Sequence, residues 1–249
     1  MDFFLGEFFT GRFLNGIVVL ALSLTALFLG FTMLRSKTIT REFNQLGYFW
    51  FFIGWAWVAS SVRQFSSAIG LLQIDELFFA ITQSFVFISG IFLAPYLFNK
   101  AFENRLITTI AQYIYIAGAL AGTAGLIWFG STLTTATPYA TEYEPNTFTL
   151  ILTITLIAIL FLITLKESAQ NFLSVFKKQK PWFAFFAPFS ITLYLLFGFV
   201  DVSGIIGSWL IILFRLIFLV AFVLAYIAFA EEVAAKKETL GRGQRIIEI

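Results

Sequence analysis

The sequence predicts an all-α integral membrane protein, a bundle of seven transmembrane helices. Of its 249 residues, 59% are hydrophobic and only 12% are charged, and the mean hydropathy is +0.90. A water-soluble core of this size cannot bury so many apolar side chains, whereas a bilayer solvates them from outside. Seven apolar stretches, each near the roughly 20 residues that a span requires, follow one another along the chain. The lipid bilayer is therefore the main expected partner.

The apolar stretches divide the chain into three parts. Residues 1–12, which are rich in Phe, are predicted to form an interfacial segment, residues 13–230 the seven-helix domain, and residues 231–249 a cytoplasmic tail. The seven spans are predicted at 13–34, 47–70, 77–98, 106–130, 147–167, 182–202 and 206–230. Only residues 201–204 separate the last two apolar stretches, so one long re-entrant hairpin is the competing interpretation.

The charges of the connecting loops predict the orientation. The second, fourth and sixth loops contain no Lys or Arg. The first, third and fifth loops and the tail are basic, through Arg35, Lys37, Arg41, Lys100, Arg105, Lys166, Lys177, Lys178, Lys180, Lys236, Lys237, Arg242 and Arg245. Lys and Arg concentrate in cytoplasmic loops. We therefore expect an outside N-terminus, a cytoplasmic C-terminus and a multi-pass position in a plasma or inner membrane.

A weak internal similarity relates the first three predicted helices to the last three. Trp50-Phe51 aligns with Trp182-Phe183 at an offset of 182 − 50 = 132 residues. Each set also has a basic first loop and a short acidic second loop. The sequence thus leaves open a 3+1+3 parallel repeat, an arrangement found in transporters whose substrate lies between the halves.

Three further patterns concern individual helices. Small residues at 118–125 share one face of the fourth helix and predict close packing against its neighbours. Apolar residues between 165 and 176 share a face beside lysines, which predicts that the fifth helix continues along the inner membrane surface. The seventh helix is predicted to continue through 231–238 and to stop at Gly241 and Gly243.

The composition argues against several functional classes. The chain contains no His and no Cys, so disulfides, thiolate chemistry and His-ligated haem, zinc or copper are excluded. A retinal Schiff base needs a mid-membrane lysine, where the seventh helix offers only Arg215. A net charge of +2 in scattered groups does not suit nucleic acid. We therefore expect no enzyme, no metal and no covalent cofactor, and a noncovalent lipid, quinone or carotenoid is left open.

Arg63 and Arg215 are the two ionisable residues that clearly fall inside predicted spans. Such groups cost about 2.5–3.5 kcal/mol on insertion scales, so they indicate where a function could lie. We predict that they form an outward-facing polar pocket for a small anion or carboxylate, by charge-assisted hydrogen bonds. The other predicted pocket residues are Gln64, Gln83, Tyr194 and Asp201. In the competing interpretation the two arginines pair with Asp201, Asp75 or Glu76, or extend towards the membrane surface.

These features allow three functions. The first is a non-enzymatic receptor or sensor, which binds its ligand in the outer pocket and acts on a partner protein at the cytoplasmic face. The second is a small-solute, anionic transporter built from two three-helix units. The third is a structural or accessory subunit of a larger membrane complex.

Overall fold

The computed structural model describes residues 2–36, 41–202 and 209–247, with side chains described at Gly6, 9–36, 44–200 and 209–235. Within this part of the chain, seven helices follow in the predicted order, and their bounds lie close to the predicted spans. The elements are α1 (Asp2–Arg35), α2 (Arg41–Ala68), α3 (Leu72–Phe102), α4 (Arg105–Phe129), β1 (Ser131–Ala136), β2 (Thr141–Pro145), α5 (Thr147–Phe176), α6 (Phe183–Val202) and α7 (Leu210–Ile247).

Six of these helices contain a stretch long and apolar enough to cross a membrane, and α2 is the exception. The protein is therefore a helical, multi-pass integral membrane protein. Both α6 and α7 hold such a stretch, at Phe183–Val200 and Leu210–Ala235, which favours two separate spans over one re-entrant hairpin. The seventh span, the orientation and the identity of the membrane stay predictions.

Helix α2 is enclosed by protein on nearly its whole circumference. Among its described residues, 44–68, only Asn44, Tyr48 and Trp55 are exposed. Helices α1 and α3 pack along it. Because protein surrounds α2, its polar side chains can find partners that lipid would not supply. This explains why the helix is less apolar than the other six.

An aromatic cluster joins α2 to α6 and α7. The rings of Trp50 and Phe222 lie 5.4 Å apart between centroids, and those of Trp57 and Phe218 lie 5.0 Å apart, both edge to face. Tyr194 of α6 contacts this cluster at 5.7 Å from Trp50. Edge-to-face pairs at these distances are favourable. Since α1 also contacts α7, the helices close into a bundle.

The glycines of α4 allow its two neighbours to approach closely. A Cβ atom at Gly122 would overlap the ring of Phe87 in α3, and one at Gly118 would overlap Leu156 in α5. The packing role predicted for this stretch is therefore confirmed. The opposite face of α4 is exposed, with Leu120 69% and Ile127 76% accessible, as expected for a surface that contacts lipid.

The fourth connection differs from the all-α prediction, because residues 131–145 form a two-stranded antiparallel hairpin. Its Thr-rich and Tyr-containing strands have high β propensity, and Pro138 lies in the turn between them. In β2 the buried residues Thr141, Tyr143 and Pro145 alternate with two glutamates. This alternation is a strand signal that the sequence analysis missed.

Two predicted helix ends are wrong. The first helix does not begin at residue 13, because α1 begins at Asp2 and continues unbroken to Arg35, and the interfacial position of residues 1–12 stays a prediction. Helix α7 does not stop at Gly241 and Gly243 but continues to Ile247. A glycine in a helix costs only about 1 kcal/mol relative to alanine, so it does not end the helix by itself. The predicted continuation of α5 is confirmed as far as Phe176.

The alignment that suggested a repeat joins structurally different positions. Trp50 lies in the interior of α2 and is fully buried, whereas Trp182 precedes α6 and is 57% exposed. A duplication therefore stays a prediction without support from this pair.

Candidate ligand cavity and the hairpin clasp

A cavity of about 450 Å³ lies between α2, α3, α5, α6, α7 and the β-hairpin. We term the end of the bundle that carries the hairpin the hairpin end, and the opposite end, with Lys100 and Lys180, the basic end. Four predicted site residues line this cavity, namely Arg63, Gln83, Tyr194 and Arg215. The structure thus brings the two arginines to one cavity. Volumes of roughly 300–1,000 Å³ are typical of small-molecule sites.

Of the other two predicted site residues, Gln64 is not among the described residues that line the cavity, and Asp201 has no described side chain. Gln64 is fully buried beside the cavity, among side chains of α1 and α2. Asp201 falls at the end of α6, and its side chain lies outside the described residues. Its predicted role therefore stays a prediction.

Arg63 connects α2 to α3 and to the hairpin. Its Nε donates to Oδ1 of Asp75 at 2.9 Å, and its Nη2 donates to the carbonyl of Thr141. Asp75 is fully buried and also accepts from the hydroxyl of Thr141 at 2.5 Å. The guanidinium lies 5.1 Å from the Phe79 ring and 5.3 Å from the Tyr143 ring. The pairing of Arg63 with Asp75, one of the alternatives that the sequence left open, is therefore confirmed.

Three side chains hold the carbonyls of every second residue around the hairpin turn. Arg12 Nε donates to the carbonyl of Thr137 at 3.0 Å, and Asn15 Nδ2 donates to that of Tyr139 at 2.7 Å. Arg63 supplies the third bond. We term these three side chains, with their carbonyl partners, the clasp. It fastens the hairpin to α1 and α2, so that the hairpin covers one end of the cavity.

Arg215 is connected to the clasp through Asn15. Its Nη1 donates to Oδ1 of Asn15, whose Nδ2 also donates to Oε1 of Gln64 at 3.3 Å. Asn15 and Gln64 are both fully buried. One amide thus joins α7, α2 and the hairpin, and a change at Arg215 is transmitted directly to the clasp. Buried polar networks of this kind are costly when a partner is lost.

Tyr143 closes the hairpin against the start of α3. Its hydroxyl donates to the carbonyl of Leu72 at 3.2 Å, and its ring stacks on that of Phe79 at 5.5 Å. Burial raises the pKa of Tyr143 to about 12, and the negative charge of Asp75 acts in the same direction. The hydroxyl therefore keeps its proton, and donates this hydrogen bond, throughout the ordinary pH range.

The charged residues that line the cavity balance one another. Arg63 and Arg215 contribute two positive charges, and Glu142 and Glu144 of the hairpin contribute two negative charges, so the sum is +2 − 2 = 0. A lining of this kind provides no net attraction for a free anion. The predicted preference for a small anion thus lacks support from the charge of the lining.

The sequence analysis missed Arg12, which precedes the first predicted span, and Asn15, which lies inside that span at 13–34. Their spacing of 15 − 12 = 3 places them on one helical face and was the available signal. The carbonyl partners could not be found from sequence, since backbone groups carry no residue signature.

No protein-family model matches this chain, and neither the curated proteins nor the solved structures give a match. The function is therefore inferred from the cavity and the residues that surround it.

Proposed function

We propose that this is a non-enzymatic, receptor-like membrane protein that binds a small molecule in the cavity between α2, α3, α5, α6 and α7. The observation that carries this proposal is the cavity itself, of about 450 Å³ and covered at one end by the hairpin. Its walls include the apolar residues Phe49, Ile53, Leu93 and Leu160. Concave, mostly apolar sites with a small number of polar groups are typical of ligand pockets.

Helix α7 offers a route from the cavity to the basic end. Arg215 and Phe218 line the cavity, and the same helix runs unbroken to Ile247. From Arg215 to its end the helix has 247 − 215 = 32 residues, which corresponds to about 48 Å. A ligand that favours one position of α7 shifts the population of that position along the whole helix. The output of the proposed receptor is thus a partner protein at the basic end.

The proposal is tested by filling the cavity. Gly198 lines the cavity, and a Cβ atom there meets nothing within 4 Å among the described residues. We expect wild-type protein, purified from its native membrane in mild detergent, to carry a stoichiometric small molecule detectable by mass spectrometry. The Gly198→Phe variant should lose this molecule. Leu196→Phe, at an exposed position of the same helix, is the matched control and should retain it.

Two results would contradict the proposal. One is wild-type protein that carries no small molecule under conditions in which it remains folded. The other is a molecule that Gly198→Phe retains as fully as Leu196→Phe does, because such a molecule does not occupy the cavity.

A transporter is the second candidate, and one observation favours it. The cavity wall contains residues of α2 and α3 and residues of α5, α6 and α7, together with Tyr115 of α4, so both three-helix units of the sequence contribute to it. Transporters built from repeats bind their substrate between such units. Liposomes containing the wild-type protein should then accumulate the molecule identified above, and those with Gly198→Phe should not. Binding without accumulation supports the receptor instead.

A further inference from the structure

We infer that the ligand of this cavity is an electrically neutral amphiphile, whose carbonyl- or hydroxyl-bearing head lies between Ser60 of α2 and Gln83 of α3. Its apolar tail extends towards the basic end. The inference rests on the proposed function and specifies the chemistry of the molecule bound there.

The charge of the cavity lining favours a neutral head group. The four charged residues that line the cavity sum to zero, and both guanidiniums are already engaged, Arg63 with Asp75 and Arg215 with Asn15. An anionic head would therefore find Arg63 already paired with a carboxylate and Arg215 hydrogen-bonded to Asn15, with no net positive charge to offset its lost hydration. Burying a charge without a new opposite charge is strongly unfavourable. A neutral head avoids this cost.

Most hydroxyl groups that line the cavity are not available to a ligand as hydrogen-bond donors. Four of them donate to backbone carbonyls at distances of 2.7–2.8 Å. These hydroxyls belong to Thr82, Ser89, Tyr115 and Thr153. The corresponding parts of the wall act on a ligand largely as apolar surface.

Ser60 and Gln83 differ from those hydroxyls. Both line the cavity, Ser60 is 5% exposed and Gln83 is half-buried. Within the described residues, neither side chain makes a hydrogen bond. A hydroxyl and a carboxamide can each donate and accept, so together they suit a carbonyl or hydroxyl group. A bound head would supply these two side chains with hydrogen-bond partners that the described residues do not provide.

The two side chains lie at a similar depth. Ser60 is 68 − 60 = 8 residues from the end of α2 at Ala68, or about 12 Å. Gln83 is 83 − 72 = 11 residues from the start of α3 at Leu72, or about 16 Å. One head group can therefore contact both.

The apolar part of the cavity lies deeper. Phe49 is 68 − 49 = 19 residues from the hairpin end of α2, or about 28 Å, and Leu93 is 93 − 72 = 21 residues from that of α3, or about 32 Å. Both residues line the cavity and are almost fully buried. This sequence of polar and apolar lining gives the amphiphile its orientation, with the head nearer the hairpin end.

Three probes with alkyl chains of similar length test the inference. Their heads are neutral and carbonyl-bearing in 2-decyl-1,4-benzoquinone, anionic in decanoate and without any polar group in decylbenzene. Binding to the detergent-solubilised protein is measured by native mass spectrometry at pH 8. We expect the quinone to bind at least about tenfold more tightly than either other probe, since one to two hydrogen bonds are worth about that factor.

Variants locate the head. Gln83→Leu combined with Ser60→Ala should weaken quinone binding about tenfold or more and leave decylbenzene binding unchanged. The matched controls are Ser84→Ala, which is next to Gln83 but not in the lining, and Gln170→Leu, which is exposed on α5. Both controls should bind the quinone like wild type.

The failures of the two proposals are distinguishable. If decanoate or decylbenzene binds as tightly as the quinone and Gly198→Phe abolishes that binding, the cavity is a ligand site but the inferred head chemistry is wrong. If the double variant binds the quinone like wild type, the placement at Ser60 and Gln83 is wrong. If no probe binds to folded protein, the inference is overturned, and the co-purification experiment then decides the proposed function separately.

Discussion

Helices α2 and α4 show opposite relations between burial and polarity. Helix α2 is the least apolar helix and the most enclosed, with Gln64 at 0% exposure, whereas α4 is apolar and presents Trp128 at 81% exposure. In a soluble protein this arrangement would be inverted. In lipid, apolar side chains face outwards without penalty, while polar side chains require partners that only the protein interior supplies.

The two helices are also held by different interactions. Helix α2 is held by an ion pair, by hydrogen bonds to α1 and to the hairpin, and by aromatic contacts. Helix α4 is held by close approach at glycines, where α3 and α5 insert side chains. A span can therefore be recognised by its apolar residues, whereas its place in the bundle depends on its few polar or small residues.

The largest expected effect concerns whether α2 crosses the membrane at all. The sequence contains no cysteine, so single cysteines can be labelled without background. Asn44 and Ile69 flank the enclosed part of α2, and both are exposed. We expect a membrane-impermeant maleimide added to intact cells to label Ile69→Cys and not Asn44→Cys, because the loop charges place residue 69 outside.

Permeabilised cells provide the control, since both cysteines should then react. Equal labelling of the two positions in intact cells would show that α2 returns to the side from which it enters. In that case the contrast with α4 would reflect a re-entrant segment and not an enclosed span.

The next effect concerns the charge that α2 carries. Asp75→Ala removes the carboxylate that pairs with Arg63, and leaves a buried guanidinium without its counter-charge. We expect a destabilisation of about 3–5 kcal/mol, the usual result of removing one partner of a buried ion pair. It is measured by SDS-induced unfolding in bicelles.

Glu76→Ala is the matched control, because Glu76 is adjacent but exposed. Its effect should stay within about 0.5 kcal/mol, as is usual for surface positions. If the two variants unfold alike, the ion pair between Arg63 and Asp75 is not what holds α2 against α3.

A smaller effect is expected where α4 packs. In Gly122→Ala the new Cβ would overlap the ring of Phe87, so that one of the two helices must move. Overpacking of this kind costs about 1–3 kcal/mol. Gly198→Ala is the control, since a Cβ there meets nothing within 4 Å among the described residues and should not destabilise the protein. Equal stability of the two variants in the same unfolding assay would argue against glycine-mediated packing of α4.

The helices could be predicted because bilayer thickness imposes a length that apolar runs reveal. The hairpin could not be found in this way, because residues 131–145 are neither apolar nor charged enough to produce a membrane signal. The end of α7 was predicted too early because Gly241 and Gly243 were expected to stop the helix. The residues around them, which favour helix, continue it to Ile247.

The candidate site could be predicted only in part. Arg63 and Arg215 stood out because charges are rare inside spans, and they do line one cavity. Their actual partners, a backbone carbonyl and Asn15, depend on how α1 and the hairpin meet. The contact between α1 and the hairpin is a long-range tertiary contact, which no local sequence pattern predicts. Ser60 could not be predicted for the same reason, because its sequence context does not show that it lies in the cavity wall.

The smallest effect separates single hydrogen bonds from the ion pair in α2. The hydroxyl of Ser61 donates to the carbonyl of Gly16 in α1 at 3.3 Å and is buried. We expect Ser61→Ala to cost only about 0.6 kcal/mol, the average for hydrogen bonds between membrane helices, because the unfolded chain in the membrane also finds partners. Ser174→Ala, which removes a bond within α5, is the control and should cost less. A cost above about 2 kcal/mol, the upper end of the values measured for such bonds, would show that α2 depends on individual hydrogen bonds more strongly than other membrane helices do.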